Sequence, residues 1–108
     1  MDKYQVSYSD EAFRDLRDIF EYIAFELKGP TIATGQVNRI RDSIRSLDSF
    51  PGRNRAVDWE PWAKLEVRQM PVDNFIVYYI PDDKKLVVNI LRIFYGKRDI
   101  PNIVKSKG

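Results

Sequence analysis

Lys64, Arg68 and Arg98 are the side chains in this sequence best suited to chemistry. Guanidinium forks hold phosphate oxygens in fixed geometry, and a group of such cations could stabilise the charge that develops when a ribose 2′-hydroxyl attacks its neighbouring phosphate. The same forks bind the carboxylates of an acidic partner segment equally well. No general base stands out beside them, because the 108 residues include no histidine and no cysteine. That composition removes disulfides, Cys/His zinc sites, thiol nucleophiles, Ser-His-Asp and Cys-His pairs and imidazole acid–base work. The chain must act through Lys, Arg, Tyr, Asp or Glu, or by binding alone, and neither a metal nor a cofactor is expected.

Charge is unevenly distributed. Residues 1–30 hold four basic against seven acidic side chains, and residues 51–108 hold eleven against seven, within a net charge of +2. The second half is thus the basic one, with Arg53, Arg55, Lys64, Arg68, Arg92, Lys97, Arg98, Lys105 and Lys107 available to an anionic partner or simply solvated. The N-terminal MDKYQVSYSDEAF places acids where a secretion signal needs an apolar run, and no apolar stretch is long enough to span a bilayer. A soluble cytoplasmic protein with no membrane partner is expected.

These residues must be positioned by one core, since a chain of this length supports a single domain over 1–108. Tyr4, Val6 and Tyr8 alternate with Gln5 and Ser7 and predict a short strand. Ser9 offers an N-cap, with Asp10 and Glu11 at the positive end of the helix dipole. Phe13, Leu16, Phe20, Ile23 and Leu27 then form an apolar stripe, leaving Arg14, Asp15, Arg17, Asp18 and Glu21 to water. Gly29, as the left-handed closing residue, and Pro30 turn this helix into a second. The second carries Ile32, Ala33, Val37, Ile40, Ile44 and Leu47 on one face and stops before Phe50-Pro51-Gly52.

The stretch PGRNRAVDWEPWA reads as an ordered loop, and LEVRQM, FIVYYI and LVVNILRIF read as three strands joined by PVDN and PDDKK. Loops this short make antiparallel neighbours. FIVYYI is the expected central strand, Glu66 and Arg68 are expected on the less buried face of the preceding one, and Asn89 on a face with Val87, Leu91 and Ile93. The expected fold is α+β, in the order β-α-α-β-β-β: a twisted antiparallel sheet with a helical hairpin on one face and the other face partly open. The basic tail from residue 97 to 108 is expected to be partly frayed.

The run Arg68-Gln-Met-Pro-Val-Asp-Asn-Phe-Ile-Val-Tyr-Tyr79 followed by Ile90-Leu-Arg-Ile-Phe-Tyr-Gly-Lys-Arg-Asp-Ile100 resembles the C-terminal half of the RelE/ParE toxin superfamily of bacterial toxin-antitoxin pairs, and most closely its ParE branch. The matching positions are Arg68, Pro71, Val72, Asn74, Phe75, Tyr79, Gly96, Arg98 and Asp99. The resemblance implies a type II toxin that arrests growth by poisoning DNA gyrase and is neutralised by a ParD-type antitoxin, in a hetero-oligomer whose DNA contacts belong mainly to the antitoxin. The alternative within the superfamily is a ribosome-dependent endoribonuclease acting through Lys64, Arg68 and Arg98, and a third reading is a non-toxic remnant that only binds antitoxin. Two departures bear on the choice. Ile76 stands where ribonuclease members carry Arg, with Ile100, Pro101, Asn102 and Ile103 following in place of a terminal catalytic Tyr or His, and Tyr95 replaces the usual His of the ParE pattern.

Binding candidates are chosen by residue type. Trp59 and Trp62 are either core lids or partner anchors. Tyr22 and Phe25 give the first helix more aromatic surface than one stripe needs, and could lie under an antitoxin helix or in a homodimer. Arg68, Tyr95, Lys97, Arg98 and Asp99 complete the set, with Arg98 and Asp99 alternatively an ion pair at the strand end.

Overall fold

The structure, a computed structural model, describes residues 3–107. Strand β1 (Gln5–Tyr8) half-buries Val6 and Tyr8 and exposes Gln5 and Ser7, as the alternation predicts. Ser9 caps helix α1 (Asp10–Glu21): its Oγ accepts the Ala12 N–H at 3.0 Å and donates to the Leu91 carbonyl at 2.8 Å. The buried face of α1 is the predicted one only in part: Leu16 is buried and Phe20 half-buried, but Phe13 is not. Ala12 and Leu16 are buried with Ile19 beside them, while Phe13 is displaced outward to stack on Tyr8 at 4.8 Å. Ala12, with no side chain beyond Cβ, lets the helix sit close to the sheet, and this turns Asp15 inward instead of toward water.

After Glu21 the helix widens into a π-turn, Tyr22–Glu26. The wider turn changes the helical phase, so Ile23 and Ala24 are buried and Leu27 faces solvent. Lys28 takes the left-handed conformation (φ 54°) expected of Gly29, which is extended at φ −131°. Pro30 then opens helix α2 (Pro30–Arg45), whose Ala33, Gln36, Ile40 and Ile44 are buried. Ile32, assigned to the apolar face by spacing, is exposed.

The sheet comprises β1 and three further strands, β2 (Arg68–Val72), β3 (Phe75–Asp82) and β4 (Val87–Tyr95), in the order β1-β4-β3-β2. It is mixed, not antiparallel throughout: β1 runs parallel to β4. Short loops dictate direction for β2, β3 and β4, but a helical hairpin and two strands separate β1 from its partner, so no turn fixes its sense. Strand β2 begins later than expected. Glu66 lies in a left-handed turn (φ 60°), and Pro71 and Val72 belong to the strand, leaving Asp73 and Asn74 as the hairpin turn.

One bulge resets the face of every residue after it. Tyr78 pairs with Arg92 but Tyr79 with Ile90, so Leu91 is the extra residue of β4. Ile90 and Ile93 therefore point to the same core, Leu91 and Phe94 to the other, and Asn89 is exposed rather than sharing a face with Ile93.

Both faces of the sheet are covered. On one, α1 and α2 close over Met70, Val72, Val77, Tyr79, Val88, Ile90 and Ile93. On the other, the 51–66 segment and a C-terminal helix α3 (Ile100–Lys107) close over Tyr78, Phe94 and Val67 through Trp62, Val57, Ile100, Ile103 and Val104. The expected open face is thus filled, and most of the tail expected to fray is helical. Gly108 and the side chain of Lys107 lie outside the described residues.

Candidate functional site

Asp15 and Arg92 join α1 to β4. The carboxylate accepts from Arg92 Nε at 2.9 Å and Nη2 at 3.0 Å, and its Oδ2 also takes the Ile93 backbone N–H at 2.9 Å. The hydrogen bonds that Arg92 donates to Asp15 raise its guanidinium above its ordinary range, against the opposing effect of burial. Arg92 also lies 4.4 Å over the Phe94 ring. It is committed within the chain, and is withdrawn from the cations offered to a partner.

Beside this pair opens a groove of about 730 Å³ between α1, the π-turn, α2 and the ends of β3 and β4. Tyr22, Ile23, Leu27, Ile32, Phe75 and Tyr95 supply its apolar lining. Asp15, Asp18, Gln36, Asn74 and Arg98 supply its polar groups. The far wall is rigid because Asp73, left-handed at φ 54°, accepts from Arg39 Nε at 2.8 Å and Gln36 Nε2 at 3.0 Å, tying the β2–β3 turn to α2. Those bonds, the Arg39 one foremost, hold the Asp73 carboxyl below its usual range.

Of the predicted binding residues, Tyr22, Tyr95 and Arg98 meet in this groove. Tyr95 packs edge-on to Phe75 with ring centres 5.9 Å apart. Phe25 is 71% exposed and lies on the outer side of the π-turn, outside the groove lining. Lys97 and Asp99 are exposed in the turn after β4. Among the described residues Arg98 and Asp99 form no ion pair; Arg98 instead sits 5.7 Å from the Phe94 ring, and its N–H donates to the Tyr95 carbonyl. Asp15, Asp18, Ile32, Asn74 and Phe75 are site residues that sequence reasoning misses. Spacing carries part of their signal, because Asp15, Asp18, Ile19 and Tyr22 recur at intervals of three and four and share one face of the helix.

Trp59 and Trp62 are on the opposite side of the sheet. They stack at 5.1 Å, and Trp62 lies 4.9 Å from the Tyr78 ring, so Trp62 is core and Trp59 its half-buried cover.

Arg68 is likewise occupied. Its Nη1 donates to the Asn54 carbonyl at 2.6 Å, Asn54 Nδ2 donates to the Tyr79 hydroxyl at 3.0 Å, and that hydroxyl donates to the Pro51 carbonyl at 2.6 Å. Arg53 in turn donates to the carbonyls of Ser46, Ser49 and Phe50, closing the end of α2. Both arginines therefore fasten the 51–55 segment. The predicted phosphate-gripping set does not converge: Arg68 opens β2 opposite Tyr79 in the middle of β3, whereas Arg98 lies beyond Tyr95, which pairs with Phe75 at the start of β3. Four steps of strand, about 13 Å at the usual strand rise, separate Phe75 from Tyr79. Lys64 is exposed in the turn before β2, at the Arg68 end.

Among the described residues no helix is long and apolar enough to cross a membrane, and no group of three or more acidic side chains is placed to hold a metal ion.

A four-stranded mixed sheet with a helical hairpin on one face and a groove between them defines a small α+β protein. Residues 6–100 match the family model described as ParE toxin of type II toxin-antitoxin system, parDE, and the chain belongs to that family. In fold it is similar to a chain of the chromosomal ParDE toxin-antitoxin system of P. aeruginosa, at 21% identity and TM-score 0.70 over 86% of this chain and 96% of that one. It is also similar to a chain of the RelBE2 toxin-antitoxin complex of Mycobacterium tuberculosis, at 20% identity and TM-score 0.61 over 86% and 98%. A doubly substituted E. coli RelE toxin in the free state aligns at 12% identity and TM-score 0.63 over 97% and 96%. No curated protein matches the sequence.

Proposed function

We propose that this chain is a cytoplasmic toxin that arrests growth by binding and poisoning DNA gyrase, and that a cognate antitoxin of ParD type silences it. The membership of residues 6–100 in the ParE toxin family supports the gyrase target. The observation that carries the reading against an endoribonuclease is the separation of Lys64 and Arg68, at the start of β2, from Arg98, in the turn after β4, with Arg68 bound to the Asn54 carbonyl. In-line cleavage needs its cations around one phosphate. Ile76, on the strand where ribonuclease members carry Arg, is in keeping with this.

An antitoxin partner is supported by the company the fold keeps, since similar structures include toxins held in toxin-antitoxin complexes. The seat we assign it is the groove, where an acidic and apolar tail, disordered when free, folds across the helical hairpin and the sheet. DNA contact in the hetero-oligomer then belongs mainly to the antitoxin. Induced expression is expected to stop growth with accumulation of DNA breaks, and purified ribosomes programmed with mRNA are expected to show no cut when the protein is added. Cleavage of the message at codon-spaced positions would replace this reading with the ribonuclease one, and induction without arrest would leave a protein that only binds antitoxin.

A further inference from the structure

Strand β1 ends the sheet on one side, and its outer edge is bare. The Gln5 N–H donates to the Leu86 carbonyl and the Ser9 N–H to the Ile90 carbonyl, so Gln5, Ser7 and Ser9 turn their backbone groups toward β4. Tyr4, Val6 and Tyr8, in the other phase, turn theirs outward. The Asp48 carbonyl takes the Tyr4 N–H at 2.8 Å, and Ser9 carries the chain away into α1. Between those limits, no hydrogen bond among the described residues uses the N–H or the carbonyl of Val6 or Tyr8.

Helix α2 sets positive charge over this edge. Arg41 and Arg45, one turn apart, join Val6, Tyr8 and Ile44 around a hollow of about 200 Å³. Burial raises the pKa of the Tyr8 phenol, and the charges of Arg41 and Arg45 oppose that rise, Arg41 also through a hydrogen bond to the hydroxyl. Arg45 is bonded to Asp42 at 2.7 Å, whereas Arg41 has no carboxylate partner among the described residues. Residues 38–55 hold five arginines against two aspartates, so a negative side chain is drawn to this edge and a positive one repelled.

An unpaired strand edge beside an apolar hollow and a guanidinium without a carboxylate fits an extended peptide segment that carries acids. An antiparallel segment engages all four outward groups through two residues, one opposite Val6 and one opposite Tyr8. A parallel one spans five residues to do so, and reaches the Asp48 turn at one end and α1 at the other. Residues directly opposite share a face, so both side chains of the antiparallel segment lie on the helical side with Val6 and Tyr8.

We propose that the outer edge of β1 is where this protein seizes its target: an extended acidic segment of the target adds antiparallel to β1, with one carboxylate opposite Tyr8 pairing with Arg41 and a second opposite Val6 within reach of Arg45. The inference rests on the reading of the preceding subsection, in which the target is gyrase. None of the residues around this hollow lines the groove assigned to the antitoxin, so substitutions can separate the two sites.

Purified gyrase is the probe. Hydrogen exchange should show the Val6 and Tyr8 amides exchanging freely in the isolated protein and protected when gyrase is added without DNA. Arg41→Glu, at an exposed position, sets like charge against the segment and should raise the concentration that halves supercoiling about tenfold or more. The same variant should still form a complex with the product of the adjacent reading frame. If it does not fold, exchange in the native complex decides. Undiminished inhibition by Arg41→Glu, or unchanged exchange at Val6 and Tyr8 in a protein that does inhibit gyrase, overturns the strand proposal alone. Loss of inhibition in Arg41→Glu without that protection assigns Arg41 to DNA phosphates and also overturns it. Failure of the native protein to inhibit gyrase overturns the target reading with it.

Discussion

Asp15 is the residue on which the geometry of the groove depends, because one carboxylate holds a guanidinium, a backbone N–H and the distance between α1 and β4. Its side chain is 11% exposed and that of Arg92 19%, so removing one partner leaves a poorly solvated charge. Asp15→Asn is expected to cost about 3 kcal/mol of stability, read as a lowered urea midpoint with unchanged slope. Asp15→Asn with Arg92→Met should recover part of that loss, since replacing the guanidinium removes the stranded charge. Tyr78 yields a prediction at the alkaline end. Burial pushes its phenol up from 10.0 to about 12, with no hydrogen bond in its cause. Ionisation therefore favours the unfolded chain: stability is full below pH 10 and falls as pH rises toward 12. Tyr78→Phe should flatten that decline in urea titrations between pH 9 and 12, and an unchanged decline would assign it to other groups.

At the scale of elements, the second face of the sheet makes the largest mechanical demand on the sequence. Trp62 stands between the 51–66 segment and Tyr78, and Trp62→Ala should destabilise the protein by about 3–5 kcal/mol by opening a cavity under the loop. Removing residues 100–107 should uncover the same cluster, measurable as binding of a hydrophobic dye and a lowered Tm, while the helical hairpin on the other face stays folded. The hairpin itself is readable from periodicity, and so are the three C-terminal strands, because alternation and turn residues are local properties. The features that escape such reading depend on partners distant in the chain. Nothing in Gln5–Tyr8 records that it pairs with Val87–Ile90, or in which sense. The bulge at Leu91 leaves no mark in the run LVVNILRIF, which is apolar before and after it, and so alternation puts Ile93 on the face of Asn89 and Leu91 when it lies on the other. The π-turn hides in the same way within YIAFE, where apolar residues satisfy several helical phases at once. For the site, residue type is enough to find Tyr22, Tyr95 and Arg98, whereas the inward turn of Asp15 comes from the close approach that Ala12 permits.

For the whole molecule, the account is of a two-faced sheet in whose basic half three arginines are fastened to the fold. Arg53, Arg68 and Arg92 each hold backbone or carboxylate within the chain, while Lys64 is exposed in the turn before β2 and Lys97 and Arg98 in the turn after β4. Such a surface suits recognition of a large partner at several points better than grip on a single phosphate. Family membership supports the proposed identity of that partner, and the groove is the site proposed for the antitoxin. The most direct measurement is supercoiling by purified gyrase, with cleaved DNA scored on the same gel, as folded protein is titrated in with and without ATP. The account predicts inhibition accompanied by trapped cleavage complexes, relieved when the antitoxin is added first. Full supercoiling at a large molar excess, with no cleaved DNA, would contradict it.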